Sequence, residues 1–171
     1  MNMTKTIFET PHVSVREWSL QDVDSCFLLA SNPLVMRYIS EPIKEPAQAL
    51  EAIKRRYRDY ATRGYGRYAV VEKSSGKVIG LTGPRYDSDI DCVDVAIWLL
   101  PDYWGKGLGT EILKECLSFC FNRLALKRVV GIVDPLNGAS KRILEKCGMT
   151  FEGIIDYHGE KCELYSKSQI T

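Results

Sequence analysis

Residues 94–110 read DVAIWLLPDYWGKGLGT. The apolar run that stops at Pro101 is the end of a strand, and three glycines at alternate positions, Gly105, Gly107 and Gly109, then lead into a helix. The first turn of such a helix leaves backbone N–H groups without intrahelical acceptors. Removing side chains from alternate positions lets the turn present those amides to a large anion, with Lys106 adding a mobile positive charge. A pyrophosphate is the natural ligand for this layout.

The flanking segments place this turn in a sheet. The strand Cys92–Leu100 is nearly all apolar at its end, as a central strand buried on both faces should be. Beyond the glycines, Ile112, Leu113, Cys116, Leu117 and Cys120 recur at three- and four-residue steps, which predicts an amphipathic helix over Thr110–Asn122. KRVVGIVD then reads as a second buried strand closed by Pro135, followed by a helix started by Asn137 or Ser140 and ended by Gly148. TFEGIIDYHG and KCELYSK form a strand pair whose turn holds His158 and Gly159.

Toward the amino end, RYAVVEK and KVIGLTG make a hairpin around Ser74-Ser75-Gly76, and AQALEAIKRRYRDYA is a helix with Pro46 in its first turn. A first strand at Val13 and Val15 precedes a helix capped by Asp22 or Ser19 and stopped by Asn32-Pro33. LVMRYISEPIKEP, with two prolines, is expected to be an irregular crossover. Hairpins alternating with helical crossovers give an α/β, α+β mixed architecture, a mixed sheet with helices on both faces. A chain of 171 residues is read as one domain over 1–171.

Composition narrows the partners. With 45% hydrophobic and 26% charged residues the chain fits a soluble globular class, and 23 basic against 22 acidic residues argue for no nucleic-acid partner. No apolar run approaches a membrane span and MNMTKTIFETP lacks a secretory signal, so a cytoplasmic location without membrane contact is expected. The six cysteines suit reduced thiols, and Cys116 and Cys120 are read as packed core groups with no metal site.

These residues resemble the GNAT superfamily of acyl-CoA-dependent N-acetyltransferases, within it the Rim branch of ribosomal-protein alanine acetyltransferases. The likeness runs from VSVREWSLQDVDSCFLL through SNPLVMRYI, the hairpin, the glycine turn and the Asn-x-x-Ser helix. The family pattern, Gln or Arg followed by x-x-Gly-x-Gly or Ala, falls on Trp104, Gly107 and Gly109, and Tyr103–Gly107 carries the Tyr-Trp-Gly-Lys-Gly run common in the Rim-like branch. The resemblance implies the GNAT fold with a mostly antiparallel sheet, acetyl-CoA as cofactor, and Trp104, Gly105, Lys106, Gly107, Leu108, Gly109 and Thr110 around its pyrophosphate. It further implies that Leu99 and Leu100 lie by the thioester, that Asn137 and Ser140 lie by the pantetheine and thiol, and that Lys141 or Arg142 reaches a phosphate.

The chemistry needs a neutral amine, a donor for the carbonyl and a proton for the departing thiolate. Asp94, where Rim-like relatives carry Glu, is a candidate base acting through a water, and equally a sheet-end carboxylate. Ser140 is a candidate donor and a helix cap together. Tyr157 and Tyr165 are candidate acids or core aromatics, and His158 is a surface residue in a turn. Loops Met36 to Lys44, Arg63 to Arg67 and Tyr86 to Asp91 should wall the acceptor site, with Met36, Tyr38, Tyr86 and Asp94 facing it. The implied activity is acetyl transfer by direct attack of a primary amine, a protein N-terminus or a small molecule, in a monomer or homodimer. A non-catalytic acyl-CoA sensor of the same fold is the alternative; a nucleotide-binding protein lacks the early strand-turn-helix it would need.

Overall fold

A computed structural model describes residues 4–170. Eight strands form one sheet: β1 Thr6–Glu9, β2 Val13–Arg16, β3 Tyr68–Glu72, β4 Val78–Asp87, β5 Cys92–Leu99, β6 Arg128–Val133, β7 Thr150–Tyr157 and β8 Glu160–Ser168. Their order is β1-β2-β3-β4-β5-β6-β8-β7, antiparallel throughout except between β5 and β6. Five α-helices cover it: α1 Val23–Ala30, α2 Pro33–Met36, α3 Pro46–Arg63, α4 Leu108–Ser118 and α5 Gly138–Lys146. This is the GNAT fold anticipated above, a mixed, mostly antiparallel sheet flanked by helices.

The central strand shows why both faces are covered. Side chains alternate along a strand, so Val95, Ile97 and Leu99 join the core beneath α4, with Ile112, Leu113 and Cys116. Ala96, Trp98 and Leu100 join the opposite core beneath α1 and α3, with Trp18, Cys26, Leu29 and Ile53. Asp94 falls on the second face by the same period. Cys116 and Cys120 are fully buried in the first core, and all six cysteines are free thiols.

The feature that positions the site is the parallel pair. β5 and β6 meet in register at Asp94 and Val130. Beyond that point β5 stays paired with β4 as far as Leu99 opposite Gly80, while β6 stays paired with β8 as far as Val133 opposite Glu163. Each strand follows its own antiparallel partner, and a fork opens toward the carboxyl ends of both.

Three segments differ from the sequence reading. β1 was not expected, because Ile7 and Phe8 are adjacent and both buried and the ladder to β2 is irregular between Thr6 and Phe8, which hides the period of two. Asn32-Pro33 ends α1 and also starts α2, since the Asn32 side chain accepts from the Leu34 and Val35 amides; the stretch expected to be irregular opens with this helical turn. The helix after the glycines begins at Leu108 and widens at its end into a π-helical turn, Phe119–Arg123, that keeps Phe119, Cys120 and Phe121 buried.

Both cores should be equally demanding. Ile112→Ala in one and Ile53→Ala in the other, each side chain wholly buried, are expected to cost about 2–5 kcal/mol in urea unfolding. Leu136→Ala, 80% exposed, should stay within about 0.5 kcal/mol.

Candidate active site

One end of the fork is a row of unused donors. Gly107 caps α4 with φ 77° and offers no side chain to its amides. Among the described residues the N–H groups of Gly107, Leu108, Gly109 and Thr110 find no protein acceptor; the first bond of the helix is Glu111 N to Gly107 O. Positive partial charge therefore gathers there. Gly105 also has a positive φ, 72°, and a Cβ on either Gly105 or Gly107 would meet only open space. Gly109 is small for another reason: its Cβ would lie 2.8 Å from Ile143 Cδ1, so it lets α4 and α5 approach. Trp104 fastens the turn to the sheet, donating Nε1–H to Leu99 O at 2.8 Å and its backbone N–H to Pro101 O.

Strand alternation decides what faces the gap. Leu100 donates its N–H to Ile79 O in the sheet direction, so the peptide groups of Leu99 and Ile97 turn to the fork's open side. The Leu99 carbonyl is taken by Trp104. Ile97, not singled out from the sequence, is the next residue along that edge.

At the apex of the fork lies a buried ion pair. Arg67 Nη2 donates to both oxygens of Asp94 at 2.9 and 3.0 Å, and Nη1 donates to Asp94 O and to Gly83 O. Its backbone carbonyl accepts from Tyr60 Oη on α3. One guanidinium thus joins β4 and β5, while its own peptide is tied to α3. Asp94 is the expected carboxylate, but both its oxygens are engaged by Arg67, which the sequence gave no reason to pair with it.

A second carboxylate, also largely buried, lies near that pair. Tyr157 Oη, from the end of β7, donates to Asp87 Oδ2 at the end of β4, and the Asp89 amide donates to Oδ1. Arg85 Nη2 stands 3.5 Å from Asp87 and its Nε 3.6 Å from Asp94. Burial tends to raise the Asp87 pKa, but the Tyr157 hydroxyl, the Asp89 amide and Arg85 outweigh it and hold the carboxyl below its ordinary value. Burial first, and the bond to Asp87 second, push the Tyr157 phenol well above the usual tyrosine value. These groups line a cleft of about 240 Å³ with Arg55, Asp59, Tyr86, Ser88, Asp89 and His158. Asp87 and Arg85 escaped the sequence reading because contact with Tyr157 links positions 70 apart; the acidic run after Tyr86 was the only local sign.

The remaining expected residues are distributed as follows. Asn137 caps α5, accepting from Ser140 N while its Nδ2 donates to Ser140 Oγ at 2.9 Å. Lys141 is 3.4 Å from Glu163, whereas Arg142 is exposed and folds back over the start of α5, where a Gly138 Cβ would lie 3.4 Å from its Nη1. Met36 is drawn into the second core, 4% exposed. Tyr38 is half-buried beneath the Arg37 guanidinium. Tyr86 donates to Asp91, and the Arg63 guanidinium lies 3.9 Å over its ring, so two of the expected wall loops meet there. Tyr165 is buried and near Glu145 and Glu163.

Comparison with known proteins agrees with this geometry. The model of the acetyltransferase (GNAT) domain family matches residues 12–150. Spermidine N(1)-acetyltransferase of Escherichia coli is 30% identical over 142 residues, 82% of this chain and 74% of that one. Among solved structures, an acetyltransferase from Agrobacterium tumefaciens superposes with a TM-score of 0.84 at 18% identity, covering 99% and 96% of the two chains. Ribosomal-protein-S5-alanine acetyltransferase of Vibrio fischeri gives 0.75 at 20% identity, covering 98% and 97%. The alanine acetyltransferase likeness is no stronger than the other.

Two outcomes test this site. Arg67→Met leaves the Asp94 carboxylate buried without its partner and should cost about 3–5 kcal/mol in urea unfolding, most of it recovered by adding Asp94→Leu. Asp87, with a depressed pKa, adds stability that is present above its unfolded value of about 3.9 and lost as pH falls through the lower folded value. Tyr157→Phe removes a stabilising donor, so the Asp87 carboxyl titration followed by NMR, and the acid loss of stability with it, should move to higher pH.

Proposed function

The chain belongs to the GNAT acetyltransferases, and we propose that it transfers an acetyl group from acetyl-CoA to a primary amine by direct attack. The observation that carries this reading is the row of unpartnered amides from Gly107 to Thr110 at the mouth of the β5–β6 fork. Those donors, with Gly105 and Gly107 open on the ligand side, fit a pyrophosphate. Arg142, exposed and in no ion pair among the described residues, would reach an outlying phosphate, and the Asn137–Ser140 pair and the Ile97–Leu99 edge would hold the pantetheine. When bound, acetyl-CoA supplies an activated acyl thioester and a thiol leaving group.

The chain's own groups then have one proton to move. Tyr157 with a raised pKa is by itself a poor donor near neutral pH. The ionised Asp87 is part of what raises it; once Asp87 has taken the proton of the acceptor amine that charge is gone, and Asp87 returns a proton to the Tyr157 oxygen as the phenol releases its own into the gap. Asp87 and Tyr157 are the catalytic pair in this account. Asp94, held by Arg67, is a positioning residue that fixes β5 at the apex, and Ser140, whose Oγ accepts from Asn137 Nδ2, would offer its hydroxyl to the coenzyme thiol.

The acceptor class is supported from two sides. The structural likeness to a ribosomal-protein alanine acetyltransferase supports a protein N-terminus, and the sequence likeness to a spermidine acetyltransferase supports a small amine.

Thiol release from acetyl-CoA with a library of primary amines tests the activity. Gly107→Val, forced into a positive φ, should weaken CoA binding by about tenfold or more. Asp87→Asn and Tyr157→Phe should each lower kcat by about 10²–10⁴ while CoA binding persists, and Ser140→Ala should reduce turnover more than binding. CoA binding without turnover of any amine would instead identify a non-catalytic acyl-CoA binder.

A further inference from the structure

The charges of the cleft carry more information than its position. Arg55 and Asp59 sit one turn apart on α3, and among the described residues neither forms an ion pair. Arg85 is 43% exposed, and its 3.5 and 3.6 Å approaches to Asp87 and Asp94 are longer than the roughly 2.7–2.9 Å of a charge-assisted hydrogen bond. Of the carboxylates, Asp87 is taken by Tyr157 and the Asp89 amide, whereas the Asp89 side chain is 63% exposed and comes no closer than 3.5 Å to His158. Two guanidinia and two carboxylates, Asp59 and Asp89, therefore remain for a ligand that carries charges of both signs.

Resting on the acetyltransferase reading, we propose that the cleft takes a small acceptor bearing an anionic group, carboxylate or phosphate, on the same molecule as its amine. Arg55 and Arg85 hold the anion and thereby aim the amine at Asp87 and Tyr157. A polyamine carries no anion for the two guanidinia, and its further ammonium groups would have to share the cleft with them. The volume, about 240 Å³, is that of about eight waters at ~30 Å³ each, which suits an amino acid or a short aminoalkyl phosphate. The chain thus differs in acceptor preference from the spermidine enzyme it resembles.

The test ranks acceptors for the wild type at saturating acetyl-CoA: free amino acids, 2-aminoethyl phosphate, n-butylamine, spermidine and a short peptide amide. The same compounds are ranked by their rise in Tm in the presence of CoA. Amino acids or the aminoalkyl phosphate should lead by about tenfold or more in kcat/KM, and the better of the two identifies the anion. In Arg55→Gln and Arg85→Gln, the ratio of kcat/KM for that acceptor over n-butylamine should fall by about tenfold or more, chiefly through KM. Spermidine, n-butylamine or the peptide amide matching the anionic amines, equal losses for all acceptors in both variants, or no response to any amine in either readout would each overturn the proposal. Stabilisation by anionic amines, lost in the arginine variants but without thiol release, would keep it and refute the transferase reading.

Discussion

The structure depends on the Arg67–Asp94 pair. Two charges buried where β5 and β6 part company are tolerable only because every donor of the guanidinium that faces inward has an acceptor: two carboxylate oxygens, the Asp94 carbonyl and the Gly83 carbonyl. The pair lies on β4, β5 and the start of β3 together, with α3 attached through Tyr60 and the Arg67 carbonyl. It fixes β5 against β4 at the apex, while the other arm follows the pairing of β6 with β8.

The mouth of the fork and its apex carry different groups. At the mouth, the amides of α4 and the exposed Lys106 and Arg142 make a site for anions. On the other face, beside the apex, Asp87 and Tyr157 form a hydrogen-bonded pair edged by arginines, the pair proposed to move the proton. A ligand that runs along the fork would have its phosphates at one end and its reacting atom near the other, and the sheet that separates the two helical layers keeps the acceptor on its own face.

Much of this was legible in the sequence, and the reason is local. The glycine turn, the Asn137 cap, the apolar run of β5 and the β7–β8 hairpin are each set by residues within a few positions of one another. β1 escaped because a bulge breaks its alternation. The pairing of Arg67 with Asp94, and of Tyr157 with Asp87, escaped because each joins strands distant in the chain, where no period or spacing carries a signal. Gly109 shows the intermediate case: its smallness is visible in the sequence, but only Ile143 from α5 explains it as helix packing.

The central claim is that the amino end of α4 cradles the cofactor pyrophosphate at the open end of the fork. Titrating CoA into ¹⁵N-labelled protein and following the backbone amide resonances tests it directly. The account predicts that Gly107, Leu108, Gly109 and Thr110 shift together, along one saturable curve, and more than the amides at the start of α3. Saturable binding that leaves those four resonances in place would contradict it.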